Sequence, residues 1–513
     1  MRTNIISKIL LCLSLLLPAS SCRDFLDENS KSQLTPDTFF RSDAEAQLAV
    51  NGIYQILHTK SLYNDVGLDK FYLHGADEVA ANRAEDGDVH NYTFNEASQF
   101  ILDTYNDLYV LARNCALFLE SIEKSKGISD HYRKQAVGEI LFLRALTYFH
   151  LTNIWGDVPY FRTLPDIDQL ATITRTDKSI IRREMKADLE KAFDLLPGSY
   201  SGDNLGRATK WAAATLKAKY HMMAGEWEGM RDESVKVINS GEFTLLEDYA
   251  AVFNQKDPLK QYNREIIFAI DFTGKNRVIN ILSSFRVNNY NPRVGRDEPF
   301  DMTRLQEFQA ALAARNENMT GYGKAIPLPE LADKSTWEEG DLRYEKSIVT
   351  SYLGFRLRWP YFSKMWNLDQ ANSSRDNSTN NNVVFRLADL YLMAAEAENE
   401  LNGPANAYQY VNKVRERAFE VDKPWTGLTQ VEFRRKIRAE RKFELAGEGG
   451  RKMDLVRWGI LVETVKKTIH RSFNNPQDNI VDRHILYPIP QQEILLNPRL
   501  LDTDPTNNGY RTH

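Results

Sequence analysis

Cysteine is nearly missing from this chain, with three residues in 513, at positions 12, 22 and 115. A basic excess is missing too: 65 Lys and Arg face 70 Asp and Glu, for a net charge of −5, and no Lys/Arg-rich run breaks the balance. That argues against nucleic acid as the main partner, since phosphate binding calls for a basic patch or stripe. No apolar run reaches the ~18–20 residues that span a bilayer. The chain also lacks His-Glu-x-x-His, Gly-x-Ser-x-Gly and a Walker loop, and its nine histidines are scattered without ligand spacing. What remains is a globular composition, 42% hydrophobic and 26% charged, long enough for two or three domains or one large architecture.

The N-terminus is the most specific local signal. Arg2 and Lys8 precede a short apolar core from Ile9 to Leu17, and Pro18-Ala19-Ser20-Ser21 sets small residues directly before Cys22. This is the pattern of a bacterial lipoprotein signal, with residues 1–21 removed and lipid attached at Cys22. Several acyl chains, at about 0.8 kcal/mol per buried methylene, make a lasting anchor where one chain is marginal. Cleavage removes two positive charges and no negative one, which leaves the mature chain more acidic. Cys12 leaves with the signal and Cys22 carries lipid, so Cys115 has no cysteine to pair with and reads as a buried structural thiol.

The stretch from Val137 to Trp155 organises the rest. Val137, Ile140, Leu141, Ala145, Tyr148, Leu151 and Trp155 recur at helical steps, and Gly156-Asp157-Val158-Pro159 stops the helix. Arg144 lies inside this apolar stripe, where an unpaired guanidinium would cost several kcal/mol, so a carboxylate from another helix is expected to meet it. Further helices are predicted from Asp43, which can cap its own, and at 101–124, up to Leu196, from Lys210 to Gly225, and at 228–239, 385–401, 404–419 and 433–445. The spans 207–241 and 385–419 are each one helix pair of tetratricopeptide length. The fold expected is mainly α: four tetratricopeptide-like helix pairs (43–124, 131–196, 207–241, 385–419) in an α/α superhelix, with long capping loops and a few short β-strands.

In segments, this gives the signal at 1–21, a lipidated cysteine and tether at 22–42, three helix pairs with inserted loops at 43–241, a loop-rich insertion at 242–384 and the fourth pair with C-terminal motifs at 385–513. Ile266-Ile267-Phe268-Ala269 reads as a strand, and His484 to Pro490 as a short strand running into an irregular end. Arg434, Arg438, Arg441, Glu444 and Glu448 form a charge ladder whose plain reading is a solvated or ion-paired face. Asp77, Glu78, Glu85, Asp86 and Asp88 are carboxylates that calcium can use, but their spacing is not that of a helix-loop-helix calcium site. A solvated loop is the reading, with no metal and no cofactor.

Several stretches, in order, resemble the SusD/RagB family of outer-membrane glycan-binding lipoproteins. They are Cys22-Arg-Asp-Phe-Leu-Asp27, Glu139-Ile-Leu-Phe-Leu-Arg-Ala145 leading to Trp155-Gly-Asp-Val-Pro159, Arg207-Ala-Thr-Lys-Trp-Ala-Ala213, Phe385-Arg-Leu-Ala-Asp-Leu-Tyr-Leu392 and Glu440-Arg-Lys-Phe-Glu-Leu-Ala446. Arg451-Lys-Met-Asp-Leu-Val-Arg-Trp458, Tyr487-Pro-Ile-Pro490 and Asn497-Pro498 complete the set. Gly447 stands where the family motif has an aromatic residue, which questions one packing contact. The resemblance implies the four-pair scaffold, a SusC-like TonB-dependent transporter as partner, and an outer-membrane location facing the exterior, held by the acylated Cys22. It names no ligand residue.

Three functions remain: a surface lipoprotein that binds oligosaccharide or polysaccharide for the transporter, a secreted helical glycoside hydrolase, and a protein-assembly scaffold. Chemistry motifs are scarce, so binding ranks first and no catalytic residue is assigned. Sugar rings need flat aromatic surfaces beside hydrogen-bonding groups. The loops offer Tyr72 near Asp77 and Asn82, Asn289-Tyr290 near Arg293, and Trp337 and Trp359. On this reading, replacing Tyr290 and Trp337 removes binding and leaves folding intact.

Overall fold

Apolar spacing becomes helix almost wherever it was expected. The computed structural model describes residues 40–82, 87–253, 261–272, 288–369 and 374–511. Cys22, the tether as far as residue 39, Glu85 and Asp86 lie outside these residues.

Ten helices have ten or more residues: α1 (Asp43–Ile56), α2 (Gln99–Lys124), α3 (Asp130–Ile154), α4 (Lys178–Leu195), α5 (Lys210–Ala224), α6 (Trp227–Ile238), α7 (Leu305–Ala314), α8 (Leu387–Asn402), α9 (Pro404–Ala418) and α10 (Gln430–Glu444), among the described residues. α1 packs on α2 and α3, α3 on α4, α4 on α5, α5 on α6, α6 on α8, and α8 on both α9 and α10. The pairs α1/α2, α3/α4, α5/α6 and α8/α9 therefore stack in sequence, although the last two stand far apart in the chain.

α3 is buried on every side from Gly138 to Thr152, as befits a helix at the centre of the stack. Arg144 meets Asp188 of α4 at 2.7 Å, so the expected partner does come from another helix. A second buried pair, Glu139 with Arg207 at 2.9 Å, ties α3 to the start of α5. Trp155 caps α3, fully buried, its indole N–H donating to the Pro488 carbonyl at 2.9 Å.

Three local expectations are corrected. Ser42, not Asp43, caps α1, while Asp43 accepts from the backbone and hydroxyl of Ser129 at 2.7 Å each and so braces the start of α3. Phe385 and Arg386 belong to a strand, because Arg386 opposes Ile266 and Phe385 opposes Phe268. His484 to Pro490 is no strand. Its backbone is met by helix ends and side chains rather than by a neighbouring strand: Tyr487 N–H donates to the Ile154 carbonyl at 2.8 Å, and Asn508 Nδ2 donates to the Tyr487 carbonyl at 2.6 Å.

The insertion is more built than a set of loops. The strands among the described residues are β1 (Val79–Ala81), which comes from before the insertion, β2 (Ile266–Ile270), β3 (Ala325–Pro327), β4 (Ile348–Tyr352), β5 (Phe355–Phe362) and β6 (Asn382–Arg386), which runs out of its end. They pair antiparallel as β1–β3, β2–β6 and β4–β5. A hydrophobic core separate from that of the helix stack gathers Leu73, Tyr290, Phe308, Trp337, Tyr361, Phe362 and Trp366.

Buried ion pairs hold this second core to the stack. Arg343 contacts Asp341, Glu440 and Glu444; Arg386 contacts Glu265, Glu444 and Glu448; Arg415 contacts Glu440; Arg417 contacts Glu265 and Glu444. Lys364 closes the set on Glu448 at 2.6 Å. Arg441 and Glu444 of the charge ladder are therefore interior, while Arg434, which meets Glu400 at 2.6 Å, Arg438 and Glu448 are partly exposed. Gly447 also finds its explanation. Its φ is +75°, and a Cβ there would meet the Phe362 ring at 2.9 Å, so Phe362 occupies the space that a side chain at 447 would need.

Candidate functional site

Five of the eight proposed ligand-binding residues are core, not surface. Tyr72 is buried and its hydroxyl hydrogen-bonds His150 Nδ1 at 2.8 Å, while Tyr63 holds the other ring nitrogen at 2.8 Å. Asp77 is buried between Arg451, at 2.8 Å, and Lys442, at 3.2 Å. Burial alone would raise its carboxyl, but these two cations hold it well below the usual carboxylate range. Asn289 is 2% exposed. Tyr290 is buried, its hydroxyl donating to Asp69 at 3.2 Å. Trp337 donates from Nε1 to the Leu331 carbonyl at 3.0 Å, with its ring 4.6 Å from that of Phe443. Tyr290 and Trp337 help close the insertion against the rest of the fold, while Tyr72 belongs to the core of the helix stack. The solvated-loop reading is corrected for Asp77 and Glu78, which are interior.

Asn82, Arg293 and Trp359 keep solvent access. Trp359 is half-buried in the middle of β5, and its ring meets that of Phe473 edge-to-face at 5.5 Å and 76°. Phe473 is 44% exposed. The Arg471 guanidinium lies 5.3 Å above the Trp359 ring and is pinned by donating to the Pro327 carbonyl at 2.7 Å. The two rings and the guanidinium form a fixed apolar surface with hydrogen-bond donors at its edge.

A second aromatic, Tyr322, stands at the opposite end of β3. Its ring lies between the Lys324 ammonium and the Arg375 guanidinium, each 5.2 Å away, and its hydroxyl donates to Asp376 at 2.7 Å. Asn82 is beside it, donating from Nδ2 to the Gly323 carbonyl at 3.0 Å. The flanking glycines permit this placement, since a Cβ at Gly321 would lie 2.2 Å from the Asn291 carbonyl and Gly323 has a φ of +56°. From Gly323, which holds Asn82, to Pro327, which holds Arg471, is four residues, at most roughly 13 Å at strand rise. Two aromatic surfaces thus hang from the two ends of one short strand, a layout suited to an extended ligand.

Tyr322, Phe473, Arg375 and Asp376 were missed from sequence. Tyr322 had a signal, an aromatic between two glycines in a polar stretch. Phe473 lies in the C-terminal segment, outside the loops between helix pairs where aromatics were sought.

Two buried carboxyls are shifted upwards. Burial pushes Glu298 to about 7, against the N–H groups of Arg358 and Trp359 and the Tyr361 hydroxyl that favour its charged form. Burial likewise pushes Glu78 to about 8. Glu298 is occupied in holding β5 and Glu78 accepts from the Gly447 N–H at 3.2 Å, so both act as structural acceptors. A partly open cavity of about 100 Å³ between α5, α8 and Tyr72 has room for a few waters. Among the described residues no group of three or more His, Cys, Asp or Glu is arranged to hold a metal ion.

The chain as a whole is similar to known proteins. A family profile described as "SusD family" matches residues 331–510, and one described as "Starch-binding associating with outer membrane" matches residues 24–222. A SusD-like protein of Formosa agariphila is 40% identical, over 99% of this chain and 100% of its own length. Among solved structures, a SusD homolog from Bacteroides thetaiotaomicron is similar with a TM-score of 0.77 at 20% identity, covering 92% of this chain and 98% of its own. A laminarin-binding SusD-like protein is similar with a TM-score of 0.71 at 22% identity, covering 89% and 98%.

Proposed function

This chain belongs to the SusD/RagB family, and from that premise we propose that it is a cell-surface lipoprotein that binds glycan and delivers it to a SusC-like TonB-dependent transporter of the outer membrane. The observation that carries the reading is the pair of aromatic surfaces at the ends of β3, each beside fixed polar groups: Trp359 with Phe473 and Arg471, and Tyr322 with Asp376, Arg375 and Asn82. Their separation suits several sugar units. Similarity to proteins named for laminarin and surface-glycan binding supports the same ligand class. The chain acts by binding rather than catalysis, so incubation with its cognate glycan yields no new reducing ends.

A ring that shields about 60–80 Å² of sugar contributes roughly 1.5–2 kcal/mol, or about 10–30-fold in affinity. Tyr322→Ala and Trp359→Ala are each expected to weaken oligosaccharide binding by about that factor in titration calorimetry, with an unchanged melting temperature. Wild-type affinity in both variants would dismiss this face as the platform.

The anchor is tested separately. Cys22→Ala is expected to fold normally and to move from the membrane fraction to the soluble fraction. No helix among the described residues is long and apolar enough to cross a membrane. Sedimentation of the variant with membranes in high salt would count against lipid as what holds the protein there.

A further inference from the structure

An apolar groove of about 700 Å³ runs along α2, lined by Tyr105, Tyr109, Phe161, Leu170, Leu496 and Leu500. Leu496 of its wall is 70% exposed, and on the short helices that bring Leu170 and Leu496 to the groove, Ile167 is 83% exposed and Leu495 73%. Contiguous apolar exposure of this kind marks a docking surface. Glu493, the carboxylate of its wall, is pushed up by burial, which lowers the charge the groove presents.

We propose that the occupant is the chain's own N-terminal segment, with Phe25 and Leu26 as the inserted side chains. The segment begins in the right place. Phe40, the first described residue, packs edge-on against Phe118 of α2 at 5.2 Å. Tyr109 and Val110 lie eight or nine residues back along the same helix, about 12–14 Å at 1.5 Å per residue. The chain from Leu26 to Phe40 extends to about 46–50 Å, so it reaches the groove with slack.

Composition selects the plug. Between Arg23 and Thr38 the large apolar side chains are Phe25, Leu26 and Leu34, and all else but Pro36 is polar or charged. Asp24, Asp27 and Glu28 bracket Phe25-Leu26. Arg113 at the groove is exposed and has no carboxylate partner among the described residues, so the charges match.

The seating has a consequence for orientation, and that consequence rests on the lipoprotein reading of the preceding section. Phe25 is three residues from Cys22, at most about 11 Å. With the plug in place, the lipid emerges beside the groove, so this face of the helix stack is drawn to the membrane and the molecule cannot turn freely on its tether.

The test uses the mature chain carrying Cys22→Ala, Leu26→Cys and Leu496→Cys. Mild oxidation is expected to give an intramolecular 26–496 disulfide, seen as faster migration without reductant and as a linked peptide by mass spectrometry. A control pair, Leu26→Cys with Leu401→Cys on α8, is expected to stay reduced. Equal linkage in both pairs, or dimers alone, overturns the proposal, and dimers would assign the groove to a second copy. In a second measurement, Phe25→Asp with Leu26→Asp should raise binding of an apolar dye several-fold while the melting temperature holds; unchanged dye binding overturns it. A photo-crosslinker at Leu496 in cells should capture the chain's own N-terminus, and capture of the transporter instead also overturns it. None of these readouts depends on lipid attachment or glycan binding, so failure of the functional reading shows elsewhere, in fractionation and in titration.

Discussion

Glu444→Gln is expected to lower the free energy of unfolding by about 3–5 kcal/mol, the cost of breaking a buried pair by removing one partner. The carboxylate is fully buried and meets three guanidiniums, those of Arg343, Arg386 and Arg417. Burial alone would raise its pKa, and Arg417, Arg386 and Arg343 overcome this and hold it at about 2. Glutamine keeps the shape and removes the charge, leaving three interior cations to share Glu265, Glu440, Glu448 and Asp341. Because the network joins the insertion to α9 and α10, the loss should appear as global unfolding rather than local fraying. A denaturant titration measures it. The surface pair Lys467–Glu463, with side chains 73% and 64% exposed, is the control, and Glu463→Gln should leave the midpoint where it is. A Glu444→Gln midpoint equal to that of the control would mean that the network carries no stability.

The helix stack was legible because its information is local. A stripe repeating at helical steps over Val137–Trp155 states both the helix and its burial, and a charge inside the stripe states that a partner must exist. That Arg144 needs a partner on another helix followed from that alone, and the structure supplies Asp188. The insertion was not legible in the same way. Tyr290 and Trp337 lie in stretches without periodicity, and what buries them is remote: Asp69 for the first and Phe443 on α10 for the second. An aromatic in an irregular polar segment looks identical whether it faces a sugar or a core, since only the long-range partner decides. The same limit explains the charge ladder. Alternating charges on a helix face read equally as solvated or ion-paired until Arg343 and Arg386 arrive from elsewhere in the chain and decide for pairing. Among the candidate binding residues, Asn82, Arg293 and Trp359 keep solvent access, because the distant groups that meet Asn82 and Trp359, the Gly323 carbonyl and the Phe473 ring, cover them only in part.

The other large effect is acid lability. Five histidines are buried neutral: His58, His74, His90, His150 and His484. Burial pushes His58 and His484 down to about 4 and His74 and His150 to about 3, with His90 well below its ordinary value. Unfolded, each titrates near 6.5. Between that value and the folded one the unfolded chain binds protons that the folded chain refuses. Stability is therefore complete above pH 6.5 and is lost as the pH falls, by about 1.4 kcal/mol per histidine per pH unit.

Two carboxyls oppose this trend. Glu78, raised to about 8, and Glu298, raised to about 7, take up protons first in the folded state, so each adds stability as pH falls towards the ordinary carboxylate value near 4.5. Lys452, pushed down by burial to about 7, is charged in both states below that and contributes nothing further. From pH 6.5 to 4.5 the balance is three histidine equivalents, about 4 kcal/mol per pH unit, and two such units reach the ~5–15 kcal/mol that holds a typical protein folded. The melting temperature is accordingly expected to be level or to rise slightly from pH 8 to 6.5, then to fall steeply, with unfolding by about pH 4.5–5. His74→Leu isolates one step, since neither ring nitrogen of His74 has a hydrogen-bond partner among the described residues. That variant should reduce the slope by about 1.4 kcal/mol per pH unit without harm at pH 7. Equal melting temperatures at pH 7 and pH 5, in wild type and variant alike, would show that the buried imidazoles do not govern the acid limit.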